Sequence, residues 1–241
     1  GNLISDYADH VKGVDQKGSL NGVRHIQSGL FQPIEILTIG WCILCFCALL
    51  GSALIIWWDL SLFPLGFSGL LLTVFYPFLK YHALGDLDIL LCYALLPSVG
   101  TAHLIVGRWE WSALLLSLTY GLMTVAILHD NNTRDSKSDA RVGAVSLAAL
   151  IGPKTSAFLY TLEVLLPYII LGYAIYAGFA PYFSLLAFVV LPLSVKHARR
   201  ILKAEPYDAL AIADLDQKTA QMQLLFSLLL SLGYLIGIVV G

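Results

Sequence analysis

Apolar and polar positions are segregated along this chain: long hydrophobic runs alternate with short polar connections. Seven runs, 36–58, 60–79, 89–107, 111–128, 155–177, 179–195 and 222–240, come close to the roughly 20 residues that one helical crossing of a bilayer takes. None shows the two-residue alternation of a half-buried strand, so helices are predicted throughout. Pro77, Pro97, Pro167 and Pro192 fall inside these runs. Membrane helices tolerate such prolines where neighbouring groups satisfy the freed carbonyls. The short connections make successive helices antiparallel neighbours, and the predicted fold class is an all-α integral membrane bundle.

Seven crossings place the connections on alternating sides, which the basic residues can test. One side holds the segment before residue 36 together with 80–88, 129–154 and 196–221. It collects thirteen of the 14 Lys and Arg residues, and the other side holds only Arg108. The basic side is therefore assigned to the cytoplasm. Trp57, Trp58, Trp109 and Trp111 lie at span ends on the opposite side, where an aromatic belt is expected.

Composition excludes other classes. Hydrophobic residues make up 58% of the chain and charged residues 12%, whereas a soluble domain carries about 25% charged residues. A net charge of −2 gives no attraction to nucleic acid. Four cysteines are too few for a disulfide scaffold. Cys42, Cys45 and Cys47 lie mid-span without a nearby His and read as small hydrophobes. The evident partner is the lipid bilayer, and no obligate protein partner is indicated.

The polar residues worth chemistry lie on the cytoplasmic side. Asn2, Asp6 and Asp9 are spaced four and then three apart, which makes one stripe on a helix, with Lys12 and Asp15 following. Asn131, Asp135 and Asp139 repeat at four-residue spacing beside Asn132, interleaved with Arg134, Lys137 and Arg141. Carboxylate and amide oxygens are hard ligands suited to Mg²⁺, which commonly shares its site with substrate phosphates. Neighbouring Arg and Lys side chains can contact phosphate directly. Two such stripes facing each other would clamp a diphosphate. Glu163, about two turns into its helix, reads either as lining for a pocket or as a snorkelling side chain. His103 is expected to bond a neighbouring helix, and His82 and His129, beside the motifs, are candidates for proton transfer. Residues 199–217 read as an interfacial loop with a helical stretch.

These residues resemble the UbiA prenyltransferase superfamily. The run from Asn131 to Asp139, continuing through Arg141 and Gly143 to Gly152-Pro153, looks like its second Asp-rich motif. The run from Asp6 to Asp15 looks like the first, in the form carried by the MenA branch, although Ser5 stands where many members have Asn. Lys80-Tyr81-His82-Ala83-Leu84-Gly85-Asp86-Leu87 is a third match, to that branch and to a vertebrate vitamin-K-synthesising relative.

The resemblance implies a UbiA-type bundle of nine helices, represented over 1–241 by seven spans and a stub of the second helix, a single domain truncated at its N-terminus. It implies Mg²⁺-dependent transfer from a polyprenyl diphosphate to an aromatic acceptor, 1,4-dihydroxy-2-naphthoate in the MenA branch. Asn2, Asp6, Asp9, Asp15, Asn131, Asn132, Asp135 and Asp139 would then hold metal and diphosphate. Lys12, Arg134, Lys137 and Arg141 would contact phosphate, and Lys80, Tyr81 and Asp86 would close the site over the acceptor. The alternatives are another acceptor, such as 4-hydroxybenzoate, haem or a chlorophyllide, or a polytopic transporter. The expected location is a bacterial inner membrane with the motifs facing the cytoplasm.

Overall fold

A computed structural model of the protein describes residues 1–14, 25–141, 143 and 145–240. Asp15 lies outside the described residues. Helix α1 (Asn2–Lys12) carries the first Asp stripe and ends at Gly13, whose φ of 72° is the left-handed conformation that glycine adopts readily. Helix α2 (Pro33–Trp57) starts from a capping box in which the Gln32 backbone N–H donates to Glu35 at 2.8 Å. Apart from Ile36 and Gly40 its residues are not buried, as befits a helix facing lipid.

A short turn leads into α3 (Phe63–Lys80), followed by α4 (Gly85–Leu90), a π-helical turn at Leu91–Leu95 and α5 (Leu96–Val106). The chain continues through α6 (Trp111–Arg141), α7 (Leu147–Ile151) and α8 (Pro153–Tyr176). A 3₁₀ helix at Tyr182–Val190 runs into α9 (Leu191–Lys203), and α10 (Leu215–Val240) follows. Trp57 and Trp111 are 84% and 75% exposed at span ends, which fits the aromatic belt.

Among the described residues, six helical stretches are long and apolar enough to cross a membrane: Pro33–Trp57, Leu60–Lys80, Gly85–Val106, Trp111–Lys137, Pro153–Tyr176 and Leu215–Val240. The seventh expected crossing, 179–195, forms the composite 3₁₀ and α9 run. It falls outside the six because Lys196, Arg199, Arg200 and Lys203 follow its apolar part at once. Its apolar part, nine residues of 3₁₀ and five of α-helix, extends only about 25 Å, and the crossing length is reached only with the charged end of α9. Nine residues of 3₁₀ and thirteen of α-helix extend roughly 37 Å, against a hydrocarbon core of about 30 Å. Two of the in-span prolines explain the irregular turns. Pro97 follows the π-helical turn and Pro192 follows the 3₁₀ stretch, and neither supplies the N–H that a regular preceding turn requires.

The main buried core lies between α6, α8, α9 with its 3₁₀ lead, and α10. It is centred on Met123, Tyr160, Val164, Leu171, Met222 and Phe226. Two glycines let α10 approach this lead closely. A Cβ at Gly233 would stand 2.5 Å from the Phe183 carbonyl oxygen, and one at Gly237 would stand 2.7 Å from Pro181. This four-residue spacing of small residues is a common means of close helix packing in lipid.

Gly233→Ala should therefore push α10 off the 3₁₀ segment, at a cost of about 1–3 kcal/mol. The check is thermal denaturation of the detergent-solubilised protein, and an unchanged midpoint would contradict the packing.

Candidate active site at the motif end of the bundle

Sequence adjacency does not link the two Asp-rich helices; the third motif does, because it lies between them in the chain and bonds to a residue of each. Lys80 ends α3, and its Nζ donates to Asp9 Oδ2 at 2.7 Å. The Tyr81 hydroxyl donates to the other oxygen of the same carboxylate. The Lys12 ammonium, one turn beyond Asp9 on α1, sits 3.4 Å from the centroid of the Tyr81 ring. Asp9 is buried and both its oxygens are engaged, so α1 is docked on the start of the third motif.

The middle of the third motif pairs with the continuation of the second beyond α6. His82 and Val145 form a short parallel bridge, and the Ala83 N–H donates to the Val145 carbonyl at 2.9 Å. Ala83 takes a positive φ of 60° to make this turn. His82 itself is turned back on α3, its Nδ1 lying 2.7 Å from the Phe78 carbonyl.

The end of the third motif grips α6. Asp86 opens α4 and is buried, with Oδ2 2.5 Å from His129 Nδ1 and Oδ1 accepting from Asn132 Nδ2 at 3.4 Å. His129 Nε2 lies 2.9 Å from the Ser156 hydroxyl on α8, and Glu163 approaches His129 Nδ1 to 3.8 Å. Asp86, His129 and Glu163 are the one group of three His, Cys, Asp or Glu ligand atoms that converges among the described residues, all within 4.8 Å of one another. Glu163 is 5% exposed and points at this network, so it does not snorkel.

The second stripe is carried by the last turns of α6, whose helix does not break at Leu128. Thr133 bonds back to the His129 carbonyl at 2.7 Å and Ser136 to the Thr133 carbonyl at 3.0 Å, so the polar residues continue the helix. Arg134 is buried. Its guanidinium forks onto Asp135 at 3.1 and 3.2 Å, reaches Asp216 at 2.9 Å, and also bonds Asn131. Asp214 lies between Arg200 at 2.6 Å and Lys218 at 2.5 Å, and hydrogen bonds from Lys218 and Arg200 hold its carboxyl down at about 2.

Asp6, Asp135 and Asp139 are partly exposed, while Lys137 and Arg141 are exposed at the same end of α6. Lys137 lies 4.6 Å from the Tyr207 ring centroid. Asn2 is exposed and accepts from the Tyr93 hydroxyl at 3.4 Å. The donor set of both stripes consists of carboxylate and amide oxygens, the chemistry that fits a hard divalent cation. At the far end of the bundle, His103 Nε2 meets Asp59 at 2.7 Å and Ser61 at 2.9 Å, in the turn that follows α2.

A family model described as the UbiA prenyltransferase family matches residues 1–238. The chain belongs to the UbiA prenyltransferase family. Among its relatives is the UbiA prenyltransferase domain-containing protein 1 of Xenopus tropicalis, 34% identical over 248 residues that cover all of this chain and 68% of that protein. The human protein of the same name is 32% identical over 247 residues, covering all of this chain and 69% of the relative. That of Dictyostelium discoideum is 28% identical over 248 residues, covering 98% and 72%. This UbiA member is thus a multi-pass membrane prenyltransferase. These relatives are eukaryotic, and the expectation of a bacterial inner membrane finds no support in them.

The residues that sequence reasoning left without a firm role are His129, Glu163 and Asp216. For Glu163 the available signal was an ionisable group within a span, which in lipid is rare without a partner; His129 and Asp216 fell in the polar connections, where no such signal applies. Lys80→Met should strand the buried Asp9 carboxylate and destabilise the UbiA bundle by about 3–5 kcal/mol. Combining it with Asp9→Asn should recover part of that loss. Thermal unfolding of the three variants tests the pairing, and strictly additive effects would refute it.

Proposed function

We propose that this UbiA enzyme, acting as one prenyltransferase domain over 1–241, transfers a polyprenyl group from polyprenyl diphosphate to 1,4-dihydroxy-2-naphthoate with Mg²⁺. The observation that carries this reading is the grip of the Lys80–Leu87 segment on both Asp-rich helices, Asp9 on one side and Asn132 on the other. That segment is also the stretch that resembles the naphthoate-specific branch and its vitamin-K-synthesising relative.

Asp6 and Asp9 from α1, with Asn131, Asn132, Asp135 and Asp139 from α6, would hold the metal and, through it, the diphosphate head; Asn2 and Asp15 belong to the same proposed set. When bound, Mg²⁺ neutralises charge that builds up on the departing diphosphate. Lys12, Lys137 and Arg141 supply further positive charge at the same end. Arg134 holds the Asp135 carboxylate in a fixed plane through its two-pronged contact. Lys80 and Tyr81 do the same for Asp9.

The bond between the allylic carbon and the diphosphate oxygen breaks, and its electron pair leaves on the diphosphate. The resulting allylic cation is shielded from water by the surrounding apolar helices. An electron-rich carbon of the acceptor ring forms the new C–C bond, and the ring then loses CO₂ or a proton. Loss of a single preorganised group aimed at developing transition-state charge typically costs about 10²–10³ in rate.

Membranes bearing the full-length protein, supplied with prenyl diphosphates, Mg²⁺ and either naphthoate or benzoate acceptors, should yield a prenylated naphthoquinone precursor in the lipid extract by mass spectrometry. Chelating the metal should abolish it, and Asp135→Asn or Asp139→Asn should lower turnover at least 100-fold. Absence of any prenylated aromatic defeats the reading, and near-normal turnover of both variants at saturating Mg²⁺ removes the metal role from α6.

A further inference from the structure

We infer that Asp86 is a positioning residue whose carboxylate sets which face of the Asn132 amide is presented to the metal and diphosphate, and that His129 and Ser156 lock Asp86 for this purpose. The inference rests on the proposed metal-diphosphate role of the second motif.

The chemistry of the contact decides the orientation. A carboxylate only accepts hydrogen bonds, whereas the amide of Asn132 has a donating and an accepting end. Asp86 Oδ1 lies 3.4 Å from Asn132 Nδ2, so the NH₂ group must face Asp86 and the carbonyl oxygen is the end turned away from it. That oxygen is the only atom of the amide that can ligate a hard cation. Were the amide to rotate by half a turn, the NH₂ group would point where the ligand oxygen had been.

Asp86 cannot easily turn away, because its second oxygen is held 2.5 Å from His129 Nδ1. The same rule fixes the imidazole. Facing a carboxylate, Nδ1 carries the proton, and the ring's other nitrogen, Nε2, is hydrogen-bonded to the Ser156 hydroxyl 2.9 Å away. Ser156 also shares a hydrogen bond with the Thr133 hydroxyl, one residue beyond Asn132. The relay therefore starts and ends on the same turn of α6, passing through α4 and α8. Both Asp86 and His129 are buried, 6% and 0% exposed, which suits an indirect role better than contact with an acceptor.

Replacing one oxygen of Asp86 by NH₂ exposes the mechanism. In Asp86→Asn the remaining oxygen stays with the His129 N–H, the new NH₂ group faces Asn132, and the Asn132 amide must flip to accept from it. Its NH₂ group then occupies the position of a metal ligand.

The test uses the full-length protein and farnesyl S-thiolodiphosphate, an unreactive analogue, whose Mg²⁺-dependent binding is titrated alongside steady-state turnover. Asp86→Asn should raise the Mg²⁺ concentration for half-maximal binding at least tenfold while changing the acceptor KM less than twofold. Asn132→Ala should produce a similar rise, and the double variant should be no worse than Asn132→Ala alone, since both act through one oxygen. Asp86→Glu, which keeps both acceptors, should lie between wild type and Asp86→Asn and guards against misfolding of the amide variant.

The inference is overturned if the Mg²⁺ requirement of Asp86→Asn is unchanged, if its effect multiplies with that of Asn132→Ala, or if the acceptor KM is what rises. Wild-type protein that binds the analogue without Mg²⁺, or not at all, would instead bring down the metal-diphosphate reading itself and this inference with it.

Discussion

Two buried carboxylates, Asp9 and Asp86, hold the polar end of this bundle together from the two ends of one short stretch of chain. Asp9 belongs to α1 and is captured by Lys80 and Tyr81, where α3 ends. Asp86 opens α4 and captures His129 and Asn132 on α6. A buried carboxylate in a lipid-embedded protein is costly unless it is paired and hydrogen-bonded. Each therefore demands its partner, and the demand fixes α1 and α6 relative to the turn between them. The bridge between His82 and Val145 closes the arrangement from the side of the second motif.

Much of this was legible in the sequence, for reasons that differ by element. The crossings could be read because lipid tolerates few polar residues on any face, so apolar runs and basic connections carry the topology almost alone. The 179–195 run shows the limit of that reading. Its helical continuation is amphipathic and charged, and part of its length comes from 3₁₀ geometry, which hydropathy does not register. The motif aspartates could be picked out by spacing, since helical periodicity places residues three and four apart on one face.

The pairing of those residues was not legible. Spacing says that Lys80 and Tyr81 are neighbours, but not that both reach Asp9, 71 and 72 residues away in sequence. Nor does it say that Arg134, which stands among polar motif residues, is buried against Asp135 and Asp216. Glu163 shows the same gap. Its position inside a helix permits either an outward or an inward direction, and the choice is settled by His129, which belongs to a different helix. Long-range side-chain contacts of this sort depend on how helices rotate about their axes, and rotation is decided by packing such as that of Gly233 on the Phe183 backbone.

Helix α6 carries a wider implication. Its 31 residues measure about 46 Å, some 16 Å more than the oily layer they cross. The second motif rides on the overhang, as the tip of a rigid mast rather than on a pliable loop. Whatever tilt a thinner or thicker bilayer imposes on α6 is therefore passed on to the motif residues, which rise or sink with the helix as one piece.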